Sequence, residues 1–212
     1  MKKKILITAG PTWIKIDDVR VITTIFSGNT GIFLARNFKK LGASVTLIVN
    51  STHLDRAKLN GIKVIPFRYF EELKASITKE LKTCRYDTII HSAAVSDYKL
   101  GSAFKGKIAS GKKILTLKLK PAEKIVKTIR ALQKNVTLIQ FKLEIKRKGL
   151  VEKAFKSLKE NKSDFVIANA FEDLKLGYKS FMIDKNNNIT TINSREALFE
   201  KLKSAAMRGG NQ

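Results

Sequence analysis

Cysteine is nearly absent from this 212-residue chain: Cys84 stands alone. A single thiol excludes an internal disulfide, and with only His53 and His91 as imidazoles, no Cys/His cluster has zinc spacing. Cys84 follows an amphipathic helical stretch, which favours an inert buried thiol, and no base stands near it in sequence to activate it. Long apolar runs are missing too. Nothing approaches the roughly 20 residues that cross a bilayer. The run Ile5-Leu6-Ile7 behind Met1 is stopped by Gly10-Pro11, short of the about 7–15 residues of a signal-peptide core. These shortages point to a cytoplasmic protein that meets no membrane.

Negative charge is scarce as well: 18 acidic residues face 42 basic ones, a net charge of +24. Such a balance favours anionic ligands. It does not define a nucleic-acid binder. Most of the basic residues are lysine, whereas base readout and phosphate forks lean on arginine. Lys74, Lys79, Lys82, Lys153, Lys156, Lys159 and Lys162 punctuate apolar positions at helical spacing, as solvated helix faces do. No nucleic-acid motif is present, so no specific nucleic-acid partner is expected.

What the chain does contain is a globular share of hydrophobic residues, 43%, in apolar runs that alternate with amphipathic stretches. Strands are expected at Lys4–Ala9, Ser44–Val49, Gly61–Pro66, Asp87–His91, Ile114–Leu119, Val136–Phe141 and Asp164–Ala168. Helices are expected at Gly28–Leu41 with Ile32, Phe33, Ala35 and Leu41 inward, at Phe70–Thr83, from Pro121 to about Leu132, at Gly149–Asn161 and at Ser194–Met207. Lys179–Ile183 and Ile189–Ile192, joined by Asp184–Asn188, read as a hairpin. The pattern predicts a Rossmann-like α/β fold: a mostly parallel sheet with helices on both faces and a C-terminal β-hairpin. It forms one domain over residues 1–207, with a disordered tail at 208–212. Ligands in such sheets sit beyond the C-terminal strand ends.

Four segments fall there. Thr8-Ala-Gly-Pro-Thr12 with Ser27-Gly-Asn-Thr-Gly31 places Gly10 at a sharp turn, and Ser27, Gly28 and Gly31 at a helix N-terminus, where free N–H groups attract phosphate. The alternative is a plain N-cap with packing glycines. His91-Ser-Ala-Ala-Val-Ser-Asp97-Tyr98 leaves a strand through small residues on which a flat ligand can lie, and Asp97 can hold a metal or a ribose hydroxyl, or simply cap a turn. Residues 99–113 form a lysine-rich loop long enough to be a lid, with Lys105, Lys107, Lys112 and Lys113 able to swing over a triphosphate or to remain solvated. Gln140-Phe-Lys-Leu-Glu144 offers Phe141 to a base and Lys142 to a phosphate; core packing is the other reading of Phe141.

In this order the pieces resemble the phosphopantothenate–cysteine ligase family. The resemblance rests on Ile7-Thr-Ala-Gly-Pro-Thr12, Asp17-Asp-Val-Arg20-Val-Ile22, Ser27-Gly-Asn-Thr-Gly31, Ala93–Tyr98, Lys107-Ile108, Phe141–Glu144 and Asp164–Asn169. It spans nearly the whole chain. It implies a ligase of coenzyme A biosynthesis that joins 4′-phosphopantothenate to cysteine through an acyl-nucleotide, with CTP or ATP as co-substrate and Mg²⁺. Because nothing precedes Met1, the stand-alone form without flavin is expected. By the same resemblance Lys107 is the lid lysine. Gly10, Ser27, Gly28, Gly31, His91, Ser92, Ala93, Asp97 and Phe141 hold the nucleotide, with Asp97 toward the metal. Arg20, Ala94 and Asn169 belong to the substrate, and the enzyme is a homodimer.

One position departs from the family. Its catalytic asparagine, four residues after the arginine, is Thr24 here. A threonine hydroxyl is a shorter, differently aimed donor, and losing one such donor typically costs about 10²–10³ in rate. A catalytically impaired nucleotide-binding homologue therefore stands beside the ligase. An NAD(P)-linked Rossmann-like protein is a third reading, against which the missing G-x-G-x-x-G fingerprint counts.

Overall fold

Strand β1 (Lys4–Ala9) runs through the middle of the molecule because it is apolar on both sides: Ile5, Leu6, Ile7 and Ala9 are wholly buried. The computed structural model describes residues 2–50, 52, 56–175 and 177–208. After β1 come the two-residue strands β2 (Ile14–Lys15) and β3 (Val21–Ile22), helix α1 (Asn29–Lys40), β4 (Ser44–Asn50), β5 (Lys63–Phe67), α2 (Phe70–Thr83) and β6 (Thr88–His91). The second half adds β7 (Tyr98–Leu100), β8 (Leu119–Pro121), α3 (Ile125–Leu132), β9 (Thr137–Glu144), α4 (Leu150–Asn161), β10 (Phe165–Ala170), β11 (Ser180–Asp184), β12 (Ile189–Ile192) and α5 (Arg195–Arg208).

The main sheet has eight strands in the order β12-β11-β10-β9-β6-β1-β4-β5. β5, β4, β1, β6, β9 and β10 are parallel; β11 and β12 return antiparallel as the expected hairpin. From β1 the chain first builds outward through β4 and β5, then crosses back to place β6 on the other side of β1. The switch point therefore lies between the ends of β1 and β6, the place where sheets of this kind open a crevice.

Alternation along the strands divides the core. Ile5, Ile7 and Ala9 face Leu34, Ala35 and Phe38 of α1, in a cluster continued by Leu198 and Leu202 of α5. Leu6 and Ile89 face Leu73 and Ile77 of α2 and Ile129 of α3. Val166 and Ala168, opposite in direction to Ile167, pack against Leu150, Ala154 and Leu158 of α4. Helices thus cover both faces.

Several local expectations are corrected. The fully buried face of α1 is Gly31, Leu34, Ala35 and Phe38, with Ile32 and Phe33 half-buried against the same core, while Leu41 is exposed just past the helix end. Gly42 follows at φ +83, the left-handed residue that closes the helix. Ile114–Leu119 is not a strand: Ile114 is 81% exposed, and only Leu119–Pro121 pairs, with Tyr98–Leu100. Alternation alone makes no strand without a neighbour to accept its hydrogen bonds. Pro121 ends that ribbon rather than opening α3, which begins at Ile125. β9 and β10 run farther than expected, to Glu144 and Ala170, because they pair with each other along that length. Ser194 caps α5 as expected, its Oγ accepting from Ala197 N at 3.0 Å. α5 continues through Arg208, and the remainder of the expected tail, 209–212, lies outside the described residues. Cys84 is half-buried at the end of α2.

Candidate functional site

At the exit of β1 the backbone turns at Gly10, φ +87. Gly28, φ +82, packs directly on it: a Cβ at position 28 would stand 2.5 Å from the Gly10 nitrogen and 2.7 Å from its Cα. A Cβ on Gly31 would meet Ala9 Cβ at 2.6 Å and Ser92 Oγ at 2.7 Å. Only glycine at these places lets the N-terminus of α1 come down on the strand end. That N-terminus has no side-chain cap and no acidic residue in its first turn. The plain-cap reading of Ser27 therefore fails. The helix presents amides and the positive end of its dipole to whatever lies beyond β1.

The exit of β6 is tied to the same place. Thr8 Oγ1 lies 2.8 Å from His91 Nδ1 and accepts from Ala93 N at 3.2 Å, while Ser92 Oγ donates to the Thr8 carbonyl at 2.7 Å. His91 thus bonds a side chain of β1, not the backbone. Burial pushes its imidazole down to about 4, so it is neutral at pH 7. Ala94 N donates to Gly10 O and Ala94 O accepts from Thr12 N; Thr12 Oγ1 accepts from Ser96 N at 2.9 Å. Asn50, at the end of β4, donates to Pro11 O at 2.7 Å. Gly10, Gly28, Gly31, Ser92, Ala93 and Ala94 consequently form one continuous mouth at the switch point.

A second group forms around Asp17. Its carboxylate is fully buried and accepts from Val19 N (2.9 Å), Arg20 N (2.8 Å), Arg20 Nη1 (2.5 Å) and Ile108 N (3.0 Å). Burial alone would raise its pKa, but the amides of Ile108, Val19 and Arg20 and the guanidinium hold it down to about 2. Arg20 Nη1 also donates to Ile108 O at 3.2 Å. Arg20 is therefore bound to the chain around Lys107. Lys107 itself is exposed, as are Lys105, Lys112 and Lys113.

The remaining candidates are more scattered. Thr24 Oγ1 is buried without a hydrogen-bond partner among the described residues, while the neighbouring Thr23 Oγ1 donates to Thr12 O at 3.2 Å. Phe141 lies on β9 one residue beyond Gln140, the partner of His91, and packs partly into the α1/α5 core. Asn169 lies within β10, opposite Leu143, and its Nδ2 makes only a long 3.4 Å bond to Ile167 O. Asp97 is exposed and faces outward to Lys124 Nζ at 2.5 Å. Among the described residues no group of three His, Cys, Asp or Glu is arranged to hold a metal ion, and Asp97 offers a free carboxylate only if Lys124 leaves it.

Sequence reasoning did not single out Thr8, Thr12, Asn50 or the paired carboxylates Asp17 and Asp18 as site-builders. Thr8, Thr12 and both aspartates lie inside the quoted motifs, so their signal was present. Asn50 had a weaker one, a polar residue ending an otherwise apolar run.

The strand order and the switch point define a Rossmann-like α/β protein with the uncapped N-terminus of α1 at the exit of β1. The chain belongs to the DNA/pantothenate metabolism flavoprotein C-terminal domain family, whose model matches residues 1–207. It is similar to the coenzyme A biosynthesis bifunctional protein CoaBC of Thermococcus kodakarensis, with 36% identity over 172 residues, 80% of this chain and 42% of that protein. The chain thus spans less than half the length of that relative. Two solved structures share the fold at 26% identity. The DNA/pantothenate metabolism flavoprotein of Streptococcus pneumoniae superposes with a TM-score of 0.86, covering 97% of this chain and 99% of that one. The C-terminal domain of a coenzyme A biosynthesis bifunctional protein CoaBC gives 0.79, covering 97% and 95%. No described helix is long and apolar enough to cross a membrane.

Proposed function

We propose that this chain is a ligase of coenzyme A biosynthesis that joins 4′-phosphopantothenate to cysteine at the expense of a nucleoside triphosphate, CTP or ATP. The carboxylate of phosphopantothenate attacks the α-phosphorus, forming an acyl-nucleotide and releasing pyrophosphate. The cysteine amine then attacks the acyl carbon; an amide forms, the nucleoside monophosphate leaves and the amine gives up a proton.

The observation that carries this reading is the contact of Gly28 on Gly10, which sets the uncapped N-terminus of α1 against the end of β1 beside Ser92. Backbone amides there suit a polyphosphate. The roles are those that the family resemblance implies. Gly10, Ser27, Gly28 and Gly31 cradle phosphates. Ser92 and Ala93 line the nucleotide on a neutral His91, and Phe141 flanks it. Lys107 supplies a positive charge to the phosphates, while Arg20, Ala94 and Asn169 face the pantothenate chain. Thr24, whose hydroxyl lacks a partner among the described residues, is the candidate donor to the acyl-nucleotide. Magnesium arrives with the triphosphate as part of the substrate, with Asp97 as its candidate carboxylate once Lys124 is displaced. A homodimer and a cytoplasmic location complete the reading.

The test is direct. Purified protein with phosphopantothenate, cysteine, Mg²⁺ and either CTP or ATP is expected to release pyrophosphate and form the amide. Absence of product with both nucleotides rejects the ligase. Tight nucleotide binding in that case leaves the impaired homologue, the reading favoured by Thr24 in place of asparagine.

A further inference from the structure

Between β7 and β8 the chain runs from 101 to 118 without regular structure, and most of it is exposed. One stretch of it is nevertheless fastened. Phe104 N donates to Ile16 O at 2.8 Å. Gly106 N donates to Asp18 Oδ2 at 2.9 Å, and Asp18 N donates back to Gly106 O at 3.1 Å. Ile108 N donates to Asp17 Oδ2 at 3.0 Å, and Ile108 O receives Arg20 Nη1. Lys107 thus stands between two residues held by consecutive aspartates, while no described residue pairs with its own ammonium. Asp18 is steadied in turn by Lys15 Nζ at 2.7 Å. The turn at 16–20 is itself tied to the mouth, through the pairing of β2 with β3 and through Thr23 Oγ1 on Thr12 O.

We propose that Asp17 and Asp18 are positioning residues: they clasp the 104–108 strap and thereby fix Lys107 relative to the exit of β1. Carboxylates suit this task because charge-assisted bonds to amides are about twice as strong as neutral ones. They are also acceptors only, so they hold backbone N–H groups without competing donors. An otherwise irregular, glycine-bearing loop then carries a cation at a defined place. The clasp exists in the free protein; its consequence for turnover rests on the ligase reading.

Hydrogen exchange on the free protein tests the clasp without reference to activity. The amides of Phe104, Gly106 and Ile108 are expected to exchange at least roughly tenfold more slowly than those of residues 110–116. Asp17→Asn should erase that protection at Ile108, and Asp18→Ala at Gly106, while the amides of the main sheet keep theirs. Asp18 is exposed, so Asp18→Ala serves if Asp17→Asn does not fold. Equal exchange along the whole strap in the unaltered protein, or protection unchanged in Asp18→Ala, overturns the proposal. The positioning role is read from a kinetic cycle with CTP or ATP. Asp18→Ala and Lys107→Ala should each lower kcat/KM, and the double variant should fall no further than Lys107→Ala alone. Losses that multiply would overturn it. If the unaltered protein turns over neither nucleotide, the ligase reading fails and exchange alone decides the clasp.

Discussion

Gly28 lies so close to Gly10 that a side-chain carbon on the first would come within 2.5 Å of the backbone nitrogen of the second. Gly28→Ala therefore meets two penalties. A left-handed φ costs a non-glycine residue about 1–2 kcal/mol, and forcing carbon into filled space costs about 1–3 kcal/mol more. A loss of about 2–5 kcal/mol is expected in urea unfolding, with weakened triphosphate binding in calorimetry. Unchanged binding would show that the α1 terminus does not hold the phosphates.

His91 should leave a mark on the pH dependence of stability. Its folded pKa, about 4, lies below the ordinary histidine value of 6.5. Between these values the unfolded chain binds the proton and the folded protein does not. Its contribution is then fully present above pH 6.5 and lost as pH falls toward 4, by roughly 3 kcal/mol in all. Denaturation midpoints between pH 7 and pH 4 should fall steeply in the unaltered protein and less steeply in His91→Leu.

Thr24→Val separates stability from turnover. Its hydroxyl makes no hydrogen bond among the described residues, so removing it deprives the fold of nothing and spares an unsatisfied buried group. Stability should hold or rise by up to about 1 kcal/mol. If Thr24 donates to the acyl-nucleotide, kcat should fall about 10²-fold or more. A parallel fall in both quantities would mean that the residue is structural.

Arg130 ties together the starts of β9 and β10, at the end of the sheet away from the mouth. It donates to Lys162 O at 2.8 Å, Lys134 O at 2.6 Å, Val136 O at 2.9 Å and Asp164 Oδ2 at 2.6 Å, joining the end of α3, the start of β9 and the end of α4. Arg130→Met leaves several acceptors and a mostly buried carboxylate under-paired. A loss of about 3 kcal/mol is expected in urea unfolding, with nucleotide binding at 25 °C unchanged.

The parts of the fold legible beforehand were those written locally. β1 and β4 are short apolar runs. Gly42 stops α1, Ser194 starts α5, and the Asp184–Asn188 turn folds a hairpin. Ile114–Leu119 misled because its alternation is real but finds no partner strand. Asn169 looked like a residue of the loop beyond its strand and Phe141 like the last residue of its own; both proved to lie within strands, since β9 and β10 extend each other by pairing. Within the site, the glycines and the helix start were readable. The Thr8–His91 contact spans 83 residues and Asp17–Ile108 spans 91, separations at which no periodicity operates.

Residue order alone settled the class of this protein: alternating apolar strands and amphipathic helices, an excess of lysine, and glycines where a backbone must approach closely. These follow from side-chain periodicity and allowed dihedral angles, which act over a few residues. Tertiary structure decided which of the marked residues meet. It set Gly28 on Gly10, turned Asp97 outward to Lys124, left the Thr24 hydroxyl without a partner among the described residues and buried Asp17 beneath the lysine strap. Such contacts depend on how distant strands line up in one sheet, and that register is fixed only when the whole core closes.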